Sequence, residues 1–304
     1  MSSAAASIAQ LWVYPVKSCA GISVLASALT DTGLEWDRAW MVTDAQGRAL
    51  TQRELPAMAL ISTRIRLSDI QLKAPGMLGL HLSMNEVEAP MSVQVWGDTV
   101  PAYDMGSLAS QWLGDFLSQT ERGNTLLAKR GPFHLVRFDP EHARVSDAAW
   151  TGDVQALNQF SDGFPLLVVS EASLAELNRR LTEAGHAAVG MERFRPNVVL
   201  SGLSAHEEDQ LRTLRIDLGG RSVTLQLVKP CGRCSIPNVN PQTGEPDDAV
   251  SQVLASYRRD IGIQGEVTFG MNAIVTQGLV AADSEEDEPV LRVSQQVEIQ
   301  RVVV

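Results

Sequence analysis

Short apolar runs, each cut by Pro, Gly or Asp, constrain this chain more than any other feature. Ile8–Tyr14 is closed by Pro15. Ala39–Thr43 enters the turn Asp44–Gly47 and continues to Ala49–Thr51, and Met91–Val95 reaches Gly97-Asp98 before Val100–Tyr103. Runs this short, rich in β-branched and aromatic residues, suit strands rather than helices, so a barrel or small sandwich is predicted for the first half.

A helix is predicted over Gly106–Thr120, where Leu108, Trp112, Leu113, Phe116 and Leu117 fall at helical spacing and Ser107 is placed to cap. Arg122-Gly-Asn124 breaks that pattern, and the chain is divided there into residues 1–125 and 126–304. In the second half Phe164–Val169 is a continuous apolar run, which suits a buried strand. Ser170–Ser173 opens a helix with Leu174, Leu177 and Leu181 on one face, Ser173 and Glu176 as a capping box and Gly185 as its stop. Asn197–Leu200 and Ser222–Leu227 are predicted strands. Pro246–Arg258 is a predicted helix lined by Val250, Val253, Leu254 and Tyr257, and Leu291–Val304 closes the chain as one or two strands. The fold class is mixed α+β and β-rich.

Charge and cysteine content narrow the function. A net charge of −11 excludes a general nucleic-acid binder, which needs a basic face against the phosphates. It leaves room for a small anion site built from a few convergent cations. Three cysteines in 304 residues form no disulfide framework and indicate a reducing compartment. Met1–Ala6 lack the charged start and apolar run of a signal peptide, and no run of about 18 apolar residues occurs. A cytoplasmic protein without a membrane span is expected. Ala281–Pro289 carries five acidic residues in nine, a solvated loop or a partner-facing strip.

The segment Val228–Gly244 concentrates the chemistry: it follows an apolar strand and holds Cys231-Gly-Arg-Cys234 among three prolines. Structural zinc would need four ligands, and Cys19 is the one further cysteine. A redox dithiol normally opens a helix, which Pro237 and Pro241 oppose. A single thiolate suits a soft metal centre, with Arg233 and Lys229 nearby to favour the ionised sulfur. Composition does not rank this third reading above the second. Near the start, Lys17-Ser18 in a Gly-ended turn after a strand is a candidate phosphate holder, the alternative being an exposed turn. Asp37-Arg38 and Arg193–Asn197 are the other basic loop positions beside strands, and Arg195, preceding Pro196, is expected to be extended.

Together these pieces resemble a known family. Gln10–Ile22, Asp37–Asp44 and Thr51-Gln-Arg53 are similar to the MOSC N-terminal β-barrel domain. Phe164–Leu174, Arg193–Val199, Cys231–Cys234 and Asn240–Gly244 are similar to the MOSC domain, the molybdenum cofactor sulfurase C-terminal domain. Within that family the chain is similar to the mitochondrial amidoxime-reducing components and their bacterial counterparts. The resemblance implies an N-terminal β-barrel-like domain followed by a MOSC β-barrel domain with peripheral helices. It implies a molybdenum–molybdopterin cofactor with Cys234 as the metal ligand and the catalytic residue, and chemistry independent of pyridoxal phosphate. Cys231 is not expected to ligate. Lys17, Ser18 and Arg38 match positions that hold the cofactor's terminal phosphate and pterin, and Asp162, Arg195 and Asn197 match further cofactor contacts.

The implied reaction is two-electron removal of oxygen from small N-oxygenated or S-oxygenated compounds, such as amidoximes and hydroxylamines. No cysteine follows Cys234, so an iron–sulfur cluster with four thiolates is not expected here. Electrons are expected from a separate cytochrome, ferredoxin or flavin reductase, with Asp283–Glu288 a candidate surface for it. The alternative function is a non-enzymatic carrier of molybdenum cofactor or of persulfide sulfur. A thiol oxidoreductase using both Cys231 and Cys234 is the third possibility.

Overall fold

The computed structural model describes residues 6–84, 89–279 and 288–302. Seven strands form a closed barrel. Leu166–Ser170 pairs with Val198–Ser201, and the order continues through Ala6–Val13, Gln296–Arg301, Leu211–Asp217, Ser222–Gly232 and Glu266–Gln277. The last strand returns to the first through Leu166↔Ala273 and Val168↔Met271. Leu166–Ser170 and Val198–Ser201 run parallel; the other barrel pairs are antiparallel. Closure removes the exposed edges that an open sheet would carry.

Strand periodicity explains which residues fill the barrel. Ile8, Leu11, Val168, Val198, Leu214, Leu225 and Ala273 are buried in its core. Leu167, Val169 and Val199 point the other way, against helices Glu171–Glu183 and Ala249–Tyr257 through Leu177, Leu181, Val250 and Leu254. A strand covered on both faces reads as an unbroken apolar run, which is why Phe164–Val169 shows no alternation.

The first half adds three smaller sheets. Trp40–Thr43, His134–Phe138, Asp98–Asp104 and Ala89–Val95 form one; Ser62–Arg66, Asp69–Lys73 and Leu80–Ser83 form a meander; Ala26–Thr30 pairs with Gly33–Leu34 and Val290–Arg292. Helix Ser107–Leu117 packs Trp112, Leu113 and Phe116 onto the core around Trp40 and Phe133. Strand pairing runs across the division expected at 125/126: Ala6–Val13 belongs to the barrel, and His134–Phe138 lies between first-half strands.

Several local expectations are corrected. Gly106, at φ +99°, is the N-cap of the first helix, with Ser107 already inside it. Arg122-Gly-Asn124 lies within a second helix, Glu121–Arg130, because Thr120 caps it by accepting from the Gly123 amide. Ser170 rather than Ser173 caps Glu171–Glu183. Ser173 donates its hydroxyl to buried Glu208 at 2.6 Å, while Glu176 pairs with Arg179 and Arg180. Ala49–Thr51 contributes an isolated bridge to Thr43 rather than a strand. The acidic stretch lies outside the described residues up to Asp287; Glu288 is exposed. No described helix is long and apolar enough to cross a membrane.

Behind the barrel, His206 lies edge-on to Phe269 and packs against Tyr257, and among the described residues neither ring nitrogen has a hydrogen-bond partner. Burial, and then Arg258 and Arg180 against an opposing Glu176, push its pKa down to about 4. The unfolded chain, with an ordinary histidine, therefore binds more protons between about pH 6.5 and 4. Stability is full above that window and is lost as pH falls through it. Urea titrations at pH 7 and 4.5 should show this loss in the wild type and a flatter profile in His206→Asn, since Asn tolerates the φ of +61° at this position. Parallel profiles in the two proteins would assign the acid sensitivity elsewhere.

Candidate functional site

The site forms where the first strand leaves the barrel. Tyr14 is fully buried, and Gly21 is required beside it, because a Cβ there would lie 2.3 Å from the Tyr14 ring. Val16 bridges Trp40 and the Lys17 amide donates to the Trp40 carbonyl at 2.8 Å. This pins Lys17-Ser18 between the barrel and the first-half sheet. On the opposite wall, strand Ser222–Gly232 is irregular after Leu227, with bulges at Leu227/Lys229 and Pro230/Gly232. Bulges release side chains from the ladder, and here they carry Cys231 and Gly232 to the barrel rim. Ile236–Asn238 then makes a short 3₁₀ turn. The absence of an α-helix directly after Cys234 accords with the prolines.

One cavity is lined by all seven residues singled out in the sequence: Lys17, Ser18, Arg38, Asp162, Arg195, Asn197 and Cys234. They come from positions up to about 217 residues apart (234 − 17). Asn197 joins the parts. Its side-chain oxygen accepts from the Leu167 amide at 3.1 Å and from Arg38 at 3.2 Å, and its amide nitrogen donates to the Trp12 carbonyl at 3.3 Å. Arg38 also donates to Asp37 and to the Arg195 carbonyl. The guanidinium groups of Arg38 and Arg195 lie 4.5 and 4.3 Å from the Tyr14 ring centre. Ser18, Arg38 and Arg195 have φ of +66°, +53° and +58°. Arg195 is therefore left-handed rather than extended; its carbonyl bond to Arg38 and its Nη1 bond to the Cys19 carbonyl at 2.6 Å hold it there. Non-glycine residues in this region carry strain and gather at binding sites.

The cavity is cationic in an acidic protein. Lys17, Arg38, Arg53, Arg195 and Arg233 face it, against one carboxylate, Asp162. Burial pulls the Lys17 ammonium below its ordinary value, and Asp162, 2.6 Å away, pushes back. Desolvation raises the Asp162 carboxyl, but Lys17 and the Trp96 indole outweigh it and hold the group below the usual carboxylate range. Burial, then Arg38, brings Arg195 down to about 10, so it stays charged at neutral pH. Its Nη2, and Nε of Arg233, are buried without a hydrogen-bond partner among the described residues. Buried cationic donors left open are costly unless an acceptor arrives. At Gly232 the Glu266 side chain lies against the backbone: a Cβ there would sit 2.0 Å from Glu266 Oε2.

The cysteines differ in setting. Cys234 is exposed. Cys231 is half-buried and its sulfur accepts from Arg233 Nη1 at 2.9 Å. Arg233 is thus drawn to Cys231, and Lys229 lies over the Trp150 ring at 4.9 Å, so neither cation is held on Cys234 as the sequence led us to expect. Cys19 is fully buried, and burial pushes its thiol up to about 12, which makes it inert. Sequence reasoning missed Arg53 and Thr51 as cavity residues, although Thr51-Gln-Arg53 stood in a quoted motif. It also missed Ser161, for which the sequence carries no signal.

Comparison with known proteins agrees with this layout. Residues 5–120 match the MOSC N-terminal beta barrel domain and residues 156–298 match the MOSC domain. The chain is 34% identical over 263 residues to mitochondrial amidoxime reducing component 2 of Bos taurus, covering 83% of this chain and 72% of that protein. It is 34% identical over 269 residues to mitochondrial amidoxime-reducing component 1 of Homo sapiens, with the same coverage. Molybdenum cofactor sulfurase of Bos taurus is 28% identical, matched over 87% of this chain and 30% of that longer protein. The chain belongs to the MOSC family, with a MOSC N-terminal β-barrel domain ahead of a MOSC domain.

Proposed function

We propose that this protein holds a molybdenum–molybdopterin cofactor, with Cys234 as the protein's metal ligand, and reduces small N-oxygenated or S-oxygenated compounds. The observation that carries the reading is the cavity itself. An exposed thiol shares it with five cations, two of which, Arg195 and Arg233, each keep a buried N–H without a partner among the described residues. That donor set fits a soft metal at one end and an anionic phosphate and polar pterin at the other.

Lys17 and Ser18 would hold the phosphate, and Arg38, Arg195 and Asn197 the polar edge of the pterin. When bound, the group supplies two-electron oxygen-atom removal. The chain's part is to bind, orient and tune. Arg38 is fixed by Asp37, Asn197 and the Arg195 carbonyl, so little side-chain entropy remains to be lost on binding. Each hydrogen bond from a cation to the anionic ligand contributes about 1.5–3 kcal/mol.

Electrons come from a separate cytochrome, ferredoxin or flavin reductase. The cysteine usage supports a reducing compartment such as the cytoplasm, while the relatives quoted are named as mitochondrial. The sulfurase relative favours a second reading, in which the same cavity carries the cofactor, or a persulfide on Cys234, to another protein.

The test is molybdenum and pterin content of protein purified from cells that make ample cofactor, followed by turnover of an amidoxime with an artificial donor. About one metal and one pterin per chain with repeated turnover is the expected result. Stoichiometric cofactor with transfer to an acceptor protein but no turnover would select the carrier. Protein free of both would discard the reading.

A further inference from the structure

Cys234 borders two openings. With Arg233 and Pro237 it lines the cationic cavity on one side and a second cleft on the other. The second cleft holds about 400 Å³, within the range of small-molecule sites. Val250, Leu254 and Val267 give it an apolar wall, and Asp248, Ser251 and Gln252 a polar edge. The wall follows from helix Ala249–Tyr257, which turns Val250 and Leu254 onto the barrel strand that carries Val267 and Phe269.

Asn238, in the 3₁₀ turn after Cys234, holds the polar edge in register with the thiol. It is 3% exposed. Its amide nitrogen donates to Asp248 Oδ1 at 3.1 Å and to Ser251 Oγ at 2.9 Å, and its side-chain oxygen accepts from the Ser251 amide at 3.0 Å. Asp248 stands at the helix N-cap, where a carboxylate ordinarily accepts from the amides of its own helix. It makes no such bond; Asp247 takes the Ala249 amide at 2.9 Å instead. Among the described residues no cation pairs with Asp248, and its Oδ2 accepts no hydrogen bond. Gln252 lies one helical turn on, on the same face, and among the described residues its side-chain amide is also uncommitted.

A free carboxylate oxygen and a free amide oxygen beside an apolar wall suit a small apolar body that carries N–H donors. We propose that this cleft is the substrate subsite: Asp248 and Gln252 accept from the amino group of an N-oxygenated base such as an aromatic amidoxime, and its apolar body packs on the wall at Val267. The pair thereby sets specificity. An S-oxide offers no N–H and leaves both acceptors unpaired. The amidine that remains once the oxygen is removed is cationic at neutral pH and is held by the same carboxylate. This rests on the proposed function for the reaction but not for recognition of the amidine group.

The experiment titrates benzamidine and methyl phenyl sulfoxide into the purified protein by calorimetry, wild type beside Asp248→Asn and Gln252→Met. KM for benzamidoxime and for the sulfoxide is measured in parallel on cofactor-loaded protein with an artificial donor. Asp248→Asn keeps an oxygen for Asn238 and turns the open acceptor into a donor, and because Asp248 is exposed the Tm should not move. The expected result is benzamidine affinity about tenfold lower in Asp248→Asn, as for a lost hydrogen bond to a charged group, and about threefold lower in Gln252→Met. The ratio of the benzamidoxime KM to the sulfoxide KM should rise in step. Benzamidine binding that ignores Asp248→Asn, in protein that turns over benzamidoxime, overturns this inference alone. Benzamidine binding that Asp248→Asn weakens, in cofactor-loaded protein without turnover, keeps the subsite and overturns the proposed reduction. Neither binding nor turnover overturns both.

Discussion

Cys234→Ser is expected to yield a folded protein with less than about a tenth of the wild-type molybdenum and about 1% or less of its reductive turnover. The thiolate is a soft ligand, and a serine hydroxyl is harder and far less acidic, so the exchange removes the protein's one proposed bond to the metal. Because Cys234 is exposed, its replacement should change stability by no more than about 0.5 kcal/mol. The loss of function would then stand apart from any loss of fold. Cys231→Ser is the matched control. Its hydroxyl can accept the bond that Arg233 gives the sulfur, and it should keep most of the metal and turnover. Equal damage from both substitutions would favour the dithiol chemistry instead. Full activity in Cys234→Ser would remove the metal-ligand assignment altogether.

Asn197→Ala should be the most damaging polar substitution for the fold itself. Asn197 is 1% exposed and its amide serves the Leu167 amide, the Trp12 carbonyl and Arg38 together. Truncation strands one backbone donor, one backbone acceptor and part of a guanidinium inside the structure. Each orphaned group costs about 1–3 kcal/mol, so a loss on the order of 4 kcal/mol is expected. For a chain of this size that lowers Tm by roughly 10 °C. Retention of phosphate-bearing ligands should fall with it, because Arg38 loses one of its anchors. Calorimetry of the variant beside Arg38→Met separates the two effects: Arg38→Met should weaken binding with a smaller Tm change. A Tm shift below about 2 °C in Asn197→Ala would mean that water replaces the amide.

Many strands were legible in local pattern. Ala6–Val13 of the barrel, and Trp40–Thr43 and the hairpin Ala89–Val95/Asp98–Asp104 of the four-stranded sheet, follow from β-branched residues and turns. Helices Ser107–Leu117, Glu171–Glu183 and Ala249–Tyr257 follow from apolar spacing. Caps were less legible, because a cap is chosen by competition. Ser170 and Ser173 both suit a helix start, and buried Glu208, 35 residues away, claims the second. Arg122-Gly-Asn124 looked like a break because glycine weakens a helix, but Thr120 supplies the cap that offsets it.

For the site, motif resemblance named seven residues and tertiary structure brought them to one cavity. Which cation serves which group was not readable, since Arg233 and Lys229 are close to Cys234 in sequence yet turn to Cys231 and Trp150.

By itself the sequence determined what is local: strand and helix periodicity, the stiff loop around Cys234, and an acidic composition that leaves room only for a small anion site. Tertiary structure decided what depends on distant partners. It closed the barrel through a strand from the other end of the chain, because an open sheet would leave unpaired edges. It set Arg38, Arg195 and Asn197 around Tyr14, because a buried cation is stable only where burial and partner groups balance, and no stretch of sequence holds both.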